Sequence, residues 1–204
     1  GDCRNGGGRK MKVVIVGGVA GGASAAARIR RLDEHAQIIM IERSGYVSYA
    51  NCGLPYYIGG VIEDAGELTL QTPESFSTRF RVQIKVLHEV TAIHPDRKTV
   101  SVTNLQTGER FEESYDKLLL SPGAKPTQPR FPGADSDRLF TLRTVEDTLR
   151  IRAYIDEHHP RSAVLAGGGF IGLELAENLR ELGMDVTIVQ KPMHLMTPFD
   201  ADMA

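Results

Sequence analysis

A short apolar strand that runs into clustered glycines, and then into a helix of small residues, occurs twice in this chain. The first copy reads VVIVGGVAGGASAAARIRRL over residues 13–32, and the second reads AVLAGGGFIGLELAENLREL over residues 163–182. A strand that hands over to a helix through glycines aims the unpaired N–H groups of the helix's first turn at one spot. A diphosphate binds there. Two copies therefore predict an α/β chain with two dinucleotide sites.

The second loop has Gly167, Gly169 and Gly172, which match the G-x-G-x-x-G spacing in its required strand-to-helix context. In the first loop Gly17 and Gly22 hold the outer positions, Val19 takes the middle one, and Gly18 and Gly21 are additional. Glu42 closes the apolar run IIMIE about 25 residues after Gly17. That is near the offset at which a carboxylate accepts ribose hydroxyls. The matching run VTIVQ ends in Gln190, followed by Lys191. An amide can still bond ribose and does not repel a 2′-phosphate, so NAD and NADP both remain open.

Around these loops the pattern predicts strands at 13–16 and 38–41, a helix over 21–32 and a short helix over 73–80. Four runs, 82–86, 88–93, 99–104 and 109–113, read as strands of a smaller antiparallel layer. Asp96-Arg97 and Thr107-Gly108 suit the turns between them. A further buried strand is expected at 117–120, ending at Ser121-Pro122-Gly123. Pro126, Pro129, Pro132 and Gly133 exclude regular structure from 124–138 and mark a connection between domains. Beyond it lie a helix over 144–158, a strand at 163–166, a helix over 170–182 closed by Gly183, and a strand at 186–189. The expected organisation is a domain over 11–123, a linker over 124–138 and a second domain over 139–204. The second would be incomplete, because a doubly wound domain needs several more strands. Residues 1–10 read as a tag or upstream segment before a natural start at Met11.

Charge and composition exclude some classes. A net charge of −2 with 6% aromatic residues and no Trp supplies no basic field for nucleic acid. No apolar stretch approaches the roughly 18 residues of a membrane span, and residues 1–10 lack the apolar middle of a signal peptide. Of the two cysteines, Cys3 falls in that upstream segment, which leaves Cys52 alone in the folded part. This argues against a structural disulfide and for a cytoplasmic setting. The six histidines show no metal-ligand spacing, so no metal is expected. Met193, Met196 and Met203 read as core or tail, and Tyr46, Tyr49, Tyr56 and Tyr57 as packing residues.

Cys52 lies in SYANCGLPYY, residues 48–57, with Pro55 favouring a helix start just after it. Helix N–H groups stabilise a thiolate, the form that attacks disulfides or exchanges electrons with a flavin. The alternative is a buried, inert cysteine. A dithiol enzyme of this architecture would carry a second cysteine five residues on, where this chain has Tyr57. The redox partner of Cys52 is then a sulfenic acid, a persulfide or a mixed disulfide with a small thiol.

Together these motifs resemble the pyridine nucleotide-disulfide oxidoreductase superfamily, in its single-cysteine branch. SYANCGLPYYIGG resembles the active-site stretch of coenzyme A disulfide reductases and CoA-persulfide or polysulfide reductases. YDKLLLSPGAKP and GGGFIGLELAENL carry the likeness further along the chain. The resemblance implies a Rossmann-like FAD-binding domain with a small antiparallel layer, plus the start of a second, NAD(P)-binding Rossmann-like domain. It places Gly17, Gly21, Gly22, Glu42 and Arg43 at the ADP half of FAD. Val90 would meet the adenine through its backbone, and Ser121, Pro122 and Gly123 would lie near the flavin's phosphate side. Phe170, Ile171 and Glu174 would line the nicotinamide nucleotide site, with Gly167, Gly169, Gly172 and Gln190. Cys52 would be the catalytic residue, with Ser48 and Asn51 flanking the substrate thiol.

Ser24, Arg28 and Arg31 are four and then three apart, hence on one helix face. By pattern alone this is a solvated basic face; the resemblance implies contacts with CoA. One departure is a lysine that some members use for the substrate, whose position aligns with Phe80, between Arg79 and Arg81. The implied activity is NAD(P)H-dependent reduction of CoA disulfide, CoA persulfide or polysulfide, by a homodimer when full length. Two alternatives stay open. One is a flavin NADH oxidase or peroxidase that cycles Cys52 through sulfenic acid. The other is an inactive nucleotide-binding fragment, since the family's remaining flavin-domain strands and dimerisation domain would lie beyond Ala204.

Overall fold

The computed structural model describes residues 9–127 and 130–199, so Cys3, Pro129, Met203 and most of the segment 1–10 lie outside the described residues. In chain order come β1 (Lys12–Val16), α1 (Ala20–Leu32), β2 (Gln37–Glu42), α2 (Leu54–Ile58) and α3 (Pro73–Phe80). Strands β3 (Val82–Val86), β4 (His88–His94), β5 (Thr99–Asn104), β6 (Arg110–Ser114) and β7 (Lys117–Leu120) follow. The last elements are α4 (Val145–His158), β8 (Ser162–Ala166), α5 (Phe170–Glu181) and β9 (Asp185–Val189). The chain forms two compact units. One holds the residues up to Tyr49 with Gln71–Ala124, the other Ala50–Leu70 with the residues from Lys125 onward.

In the first unit a parallel sheet runs in the order β3-β2-β1-β7. Its central strands are covered on both faces, which is why they read as unbroken apolar runs. Val13, Ile15, Ile38 and Met40 pack with Ala23 and Ala26 of α1 and Phe76 of α3. Val14, Ile39 and Ile41 face the other way, onto Val100 and Val102 of β5. Arg30 closes the ends of α1 and α3 by donating to the carbonyls of Asp33, Glu34, Phe80 and Arg81.

Two strands differ from what their sequence pattern predicts. Residues 82–86 do not belong to the antiparallel layer, which consists of β4-β5-β6 alone. They form β3, parallel to β2, after α3 has carried the chain back along the sheet. As an edge strand β3 keeps polar Gln83 and Lys85 among its apolar residues, and this alternation imitates a half-exposed antiparallel strand. Strand β7 is also less buried than its leucines suggest. It stands at the other edge of the sheet, with Leu120 exposed.

The second unit holds the parallel pair β8–β9, α4 and α5, and the short helix α2. Its core joins Ile58 of α2 to Ile151 of α4, Leu175 and Leu179 of α5, and Met184. Helix α4 starts on a reciprocal cap between Thr144 and Asp147. At the end of α2 a Cβ on Gly59 would lie 2.7 Å from the Cβ of Asn178, so a glycine lets α2 approach α5. Arg152 Nη1 donates to the Ile58 carbonyl at 3.2 Å. The segment carrying Cys52 is thus built into the second unit, although its position in the chain is inside residues 11–123.

Candidate active site and nucleotide loops

In the first unit β1 ends against the glycine loop. Gly17 takes φ +99, and a Cβ there would overlap the Ser121 carbonyl. The N–H of Ser121 donates to Val16 O at 2.8 Å, which brings the exit of β7, with Pro122 and Gly123, onto the loop. A Cβ on Gly21 would overlap Ser121 Oγ, and one on Gly22 the Gly17 carbonyl. Glu42 is only 8% exposed. One of its carboxylate oxygens accepts the Gly18 N–H at 2.6 Å and the other the Ser44 N–H at 2.9 Å. The Ser48 N–H donates to Gly18 O at 2.9 Å. The structure therefore gathers Gly17, Gly21, Gly22, Glu42, Ser48 and Ser121 around one loop.

The remaining residues picked out in the first unit lie further along its elements. Arg43 Nε is 3.4 Å from Glu89 Oε1. Val90 sits in β4 where the pairing with β5 slips by one residue before Ala92, and this irregularity disturbs the regular backbone ladder. Ser24, Arg28 and Arg31 share the exposed face of α1, and neither arginine makes an ion pair with another described residue. Phe80 is a packing residue whose ring lies 4.7 Å from that of Phe76.

In the second unit Gly167 takes φ +117, and a Cβ on Gly172 would overlap the Gly167 carbonyl. A Cβ on Gly169 would meet nothing within 4 Å. Gly167, Gly169, Gln190, Lys191 and Thr197 line a cavity of ≈ 410 Å³. Gln190 Nε2 donates to Pro192 O at 3.2 Å and to His194 O.

The helix starts show what these loops can bind. Helices α3 and α4 begin on Thr72 and Thr144, whose side chains accept backbone N–H groups, and both carry acids in the first turn. Helices α1 and α5 have neither a side-chain cap nor an acid in the first turn. Their unpaired N–H groups and positive dipole ends suit an anion. With glycines beneath, both loops fit the diphosphate of a dinucleotide.

Cys52 lies in the 3₁₀ turn Asn51–Gly53, which runs directly into α2, with Pro55 in the first turn of that helix. Its thiol is free and exposed, so the alternative of a buried, inert cysteine is set aside. It lines a cavity of ≈ 260 Å³ together with Asn51, Arg143, Phe170, Ile171 and Glu174. Residues from three separate stretches of sequence thus meet in one space. Leu142 and Arg143 also line it and escaped the sequence reading. They precede the cap residue Thr144, and nothing local distinguishes Arg143 from any surface cation. Met193, expected in core or tail, is fully exposed. Among the described residues no group of His, Cys, Asp or Glu is placed to hold a metal ion, and no helix is long and apolar enough to cross a membrane.

Comparison with known proteins agrees with this geometry. The coenzyme A disulfide reductase of Staphylococcus haemolyticus (strain JCSC1435) is 44% identical over 192 residues, which are 94% of this chain and 43% of that protein. The crystal structure of reduced Bacillus anthracis CoADR-RHD matches with a TM-score of 0.93 and 55% identity, over 96% of this chain and 35% of that one. An NAD-dependent persulfide reductase from A. fulgidus matches with a TM-score of 0.86 and 36% identity, over 92% of this chain and 35% of that one. The chain therefore spans less than half the length of these relatives. The profile of the pyridine nucleotide-disulphide oxidoreductases, a family whose cofactors are FAD and NAD(P)H, matches residues 11–204, and the chain belongs to that family.

Proposed function

We propose that this chain carries the nucleotide-binding and sulfur-reactive parts of an FAD-dependent NAD(P)H oxidoreductase that reduces CoA disulfide, CoA persulfide or polysulfide. The observation that carries this reading is the cavity of the second unit, where Cys52 shares a space with Phe170, Ile171 and Glu174. The names of the staphylococcal and A. fulgidus relatives support the substrate class. Bound FAD would supply a two-electron relay between reduced nicotinamide and sulfur.

The chain's own residues supply the binding and the nucleophile. The first loop and Glu42 hold the ADP half of FAD, and the second loop holds the nicotinamide dinucleotide at the start of α5. The Cys52 thiolate attacks one sulfur of CoA disulfide. A Cys52–CoA disulfide forms, and the other CoA leaves as a thiolate that takes a proton from solvent. Two electrons and a proton then cleave the mixed disulfide, releasing the second CoA as thiol and restoring the Cys52 thiolate. With CoA persulfide the thiolate attacks the outer sulfur, CoA thiolate leaves, and Cys52 carries the persulfide. Arg143 places a cation in the same cavity, which favours thiolates and phosphate-bearing substrates.

The test is anaerobic oxidation of NADH or NADPH by the FAD-loaded protein on addition of CoA disulfide. Cys52→Ser is expected to reduce turnover by about 10³-fold or more. Undiminished turnover in Cys52→Ser rejects the reading. Turnover with oxygen or peroxide, but not with CoA disulfide, replaces it with the oxidase alternative.

A further inference from the structure

The cavity at the second glycine loop differs in charge from the first loop, and the difference falls at equivalent places. Strand β1 is paired with β2 so that Val16 faces Ile41, and β8 with β9 so that Ala166 faces Val189. The next residues are Glu42 in one unit and Gln190 in the other. At the first site a buried carboxylate stands where a ribose would lie. At the second there is a neutral amide, and its orientation is settled by its neighbours. Both acceptors of Gln190 Nε2 are carbonyls, those of Pro192 and His194, so its Oε1 is turned toward Gly168.

Gln190 thereby ties the segment after β9 down onto the loop, and the Met196 N–H adds a bond to Gly168 O at 3.0 Å. Lys191 is held at the ≈ 410 Å³ cavity by this arrangement and is the charged residue in its lining. It is exposed and makes no ion pair with another described residue. Thr197, also in the lining, adds a hydroxyl. A carboxylate at this place accepts ribose hydroxyls and repels a phosphate, whereas a cation without a carboxylate does the reverse.

We propose that the second site selects the dinucleotide carrying a 2′-phosphate, NADPH over NADH, with Lys191 as the residue that meets the phosphate. The inference rests on the reading of this loop as the nicotinamide dinucleotide site. The test uses binding rather than turnover. The FAD-saturated chain is titrated calorimetrically with 2′,5′-ADP and with 5′-AMP, which differ only by the 2′-phosphate. The expected result is tighter binding of 2′,5′-ADP by about fivefold at low salt, as for an exposed charge pair. That margin shrinks as ionic strength rises.

Lys191→Ala should remove the margin between the two nucleotides, and Lys191→Glu should invert it. Gly169→Asp should weaken both nucleotides, locating them at this loop. Equal or weaker binding of 2′,5′-ADP, or a margin that survives Lys191→Ala, overturns the proposal while the dinucleotide reading stands. Binding of neither nucleotide overturns both.

Discussion

The two glycine loops follow the same path from strand to helix, but their glycines answer to different neighbours. At Gly17 and Gly21 a side chain would run into Ser121, and the Glu42 carboxylate grips the Gly18 N–H from below. At Gly167 and Gly169 a Cβ would meet nothing within 4 Å. Gly22 and Gly172 are the shared feature, each needed so that its helix can pass close to the carbonyl of the loop's first glycine. The first loop is thus dictated by the protein's own packing. The second is packed closely at Gly168, where a Cβ would overlap Gln190 Oε1, but keeps an opening at Gly169, as the proposed diphosphate site requires. Stability and nucleotide binding should accordingly separate at the second loop and stay joined at the first.

Gly17→Ala should show the largest effect, a loss of about 3–5 kcal/mol, because it adds a backbone clash to an unfavourable φ. Denaturant unfolding measures it, and a loss below about 1 kcal/mol would break the comparison. Glu42→Ala leaves the N–H groups of Gly18 and Ser44 without their acceptor and should cost about 1–3 kcal/mol. Gln190→Ala, at a more open place, should cost less than about 1 kcal/mol in the same assay. Gly167→Ala carries the positive φ without the clash, so a loss of about 1–2 kcal/mol is expected.

The smallest effect on stability, and the most instructive, is at Gly169. Gly169→Asp gives α5 the side-chain cap it lacks and should change stability by less than about 1 kcal/mol, in the stabilising direction. Its carboxylate would occupy the anion's place, so nucleotide affinity measured by calorimetry should fall by about tenfold or more. Loss of both stability and binding would show that the two loops do not differ in the way described.

Much of this was legible in the sequence because it depends on short-range rules. The apolar runs of β1 and β2, the glycine clusters and the Pro55 turn each announce local geometry. What stayed hidden depends on contacts between distant residues. Strand β3 is assigned to the parallel sheet only by its pairing with β2. The placement of Cys52 with the second unit depends on Ile58 packing among Ile151, Leu175 and Leu179, and on the close approach of Gly59 to Asn178. Arg143 reaches the cavity only because the α4 cap delivers it there. Gln190 and Lys191 were visible as residue types, but their significance came from the register that makes Gln190 the counterpart of Glu42.

In the proposed reaction the exposed thiol of Cys52 takes up half of a small disulfide in the cavity it shares with the start of α5. Intact-mass and peptide-mapping spectrometry of the FAD-loaded protein, mixed with CoA disulfide and quenched in acid, tests this directly. One CoA is expected on Cys52, removed again when NADPH is supplied and absent from Cys52→Ser. A protein that turns over CoA disulfide while Cys52 carries no CoA, or that carries the CoA on Cys52 and keeps it in the presence of NADH and NADPH, would contradict it.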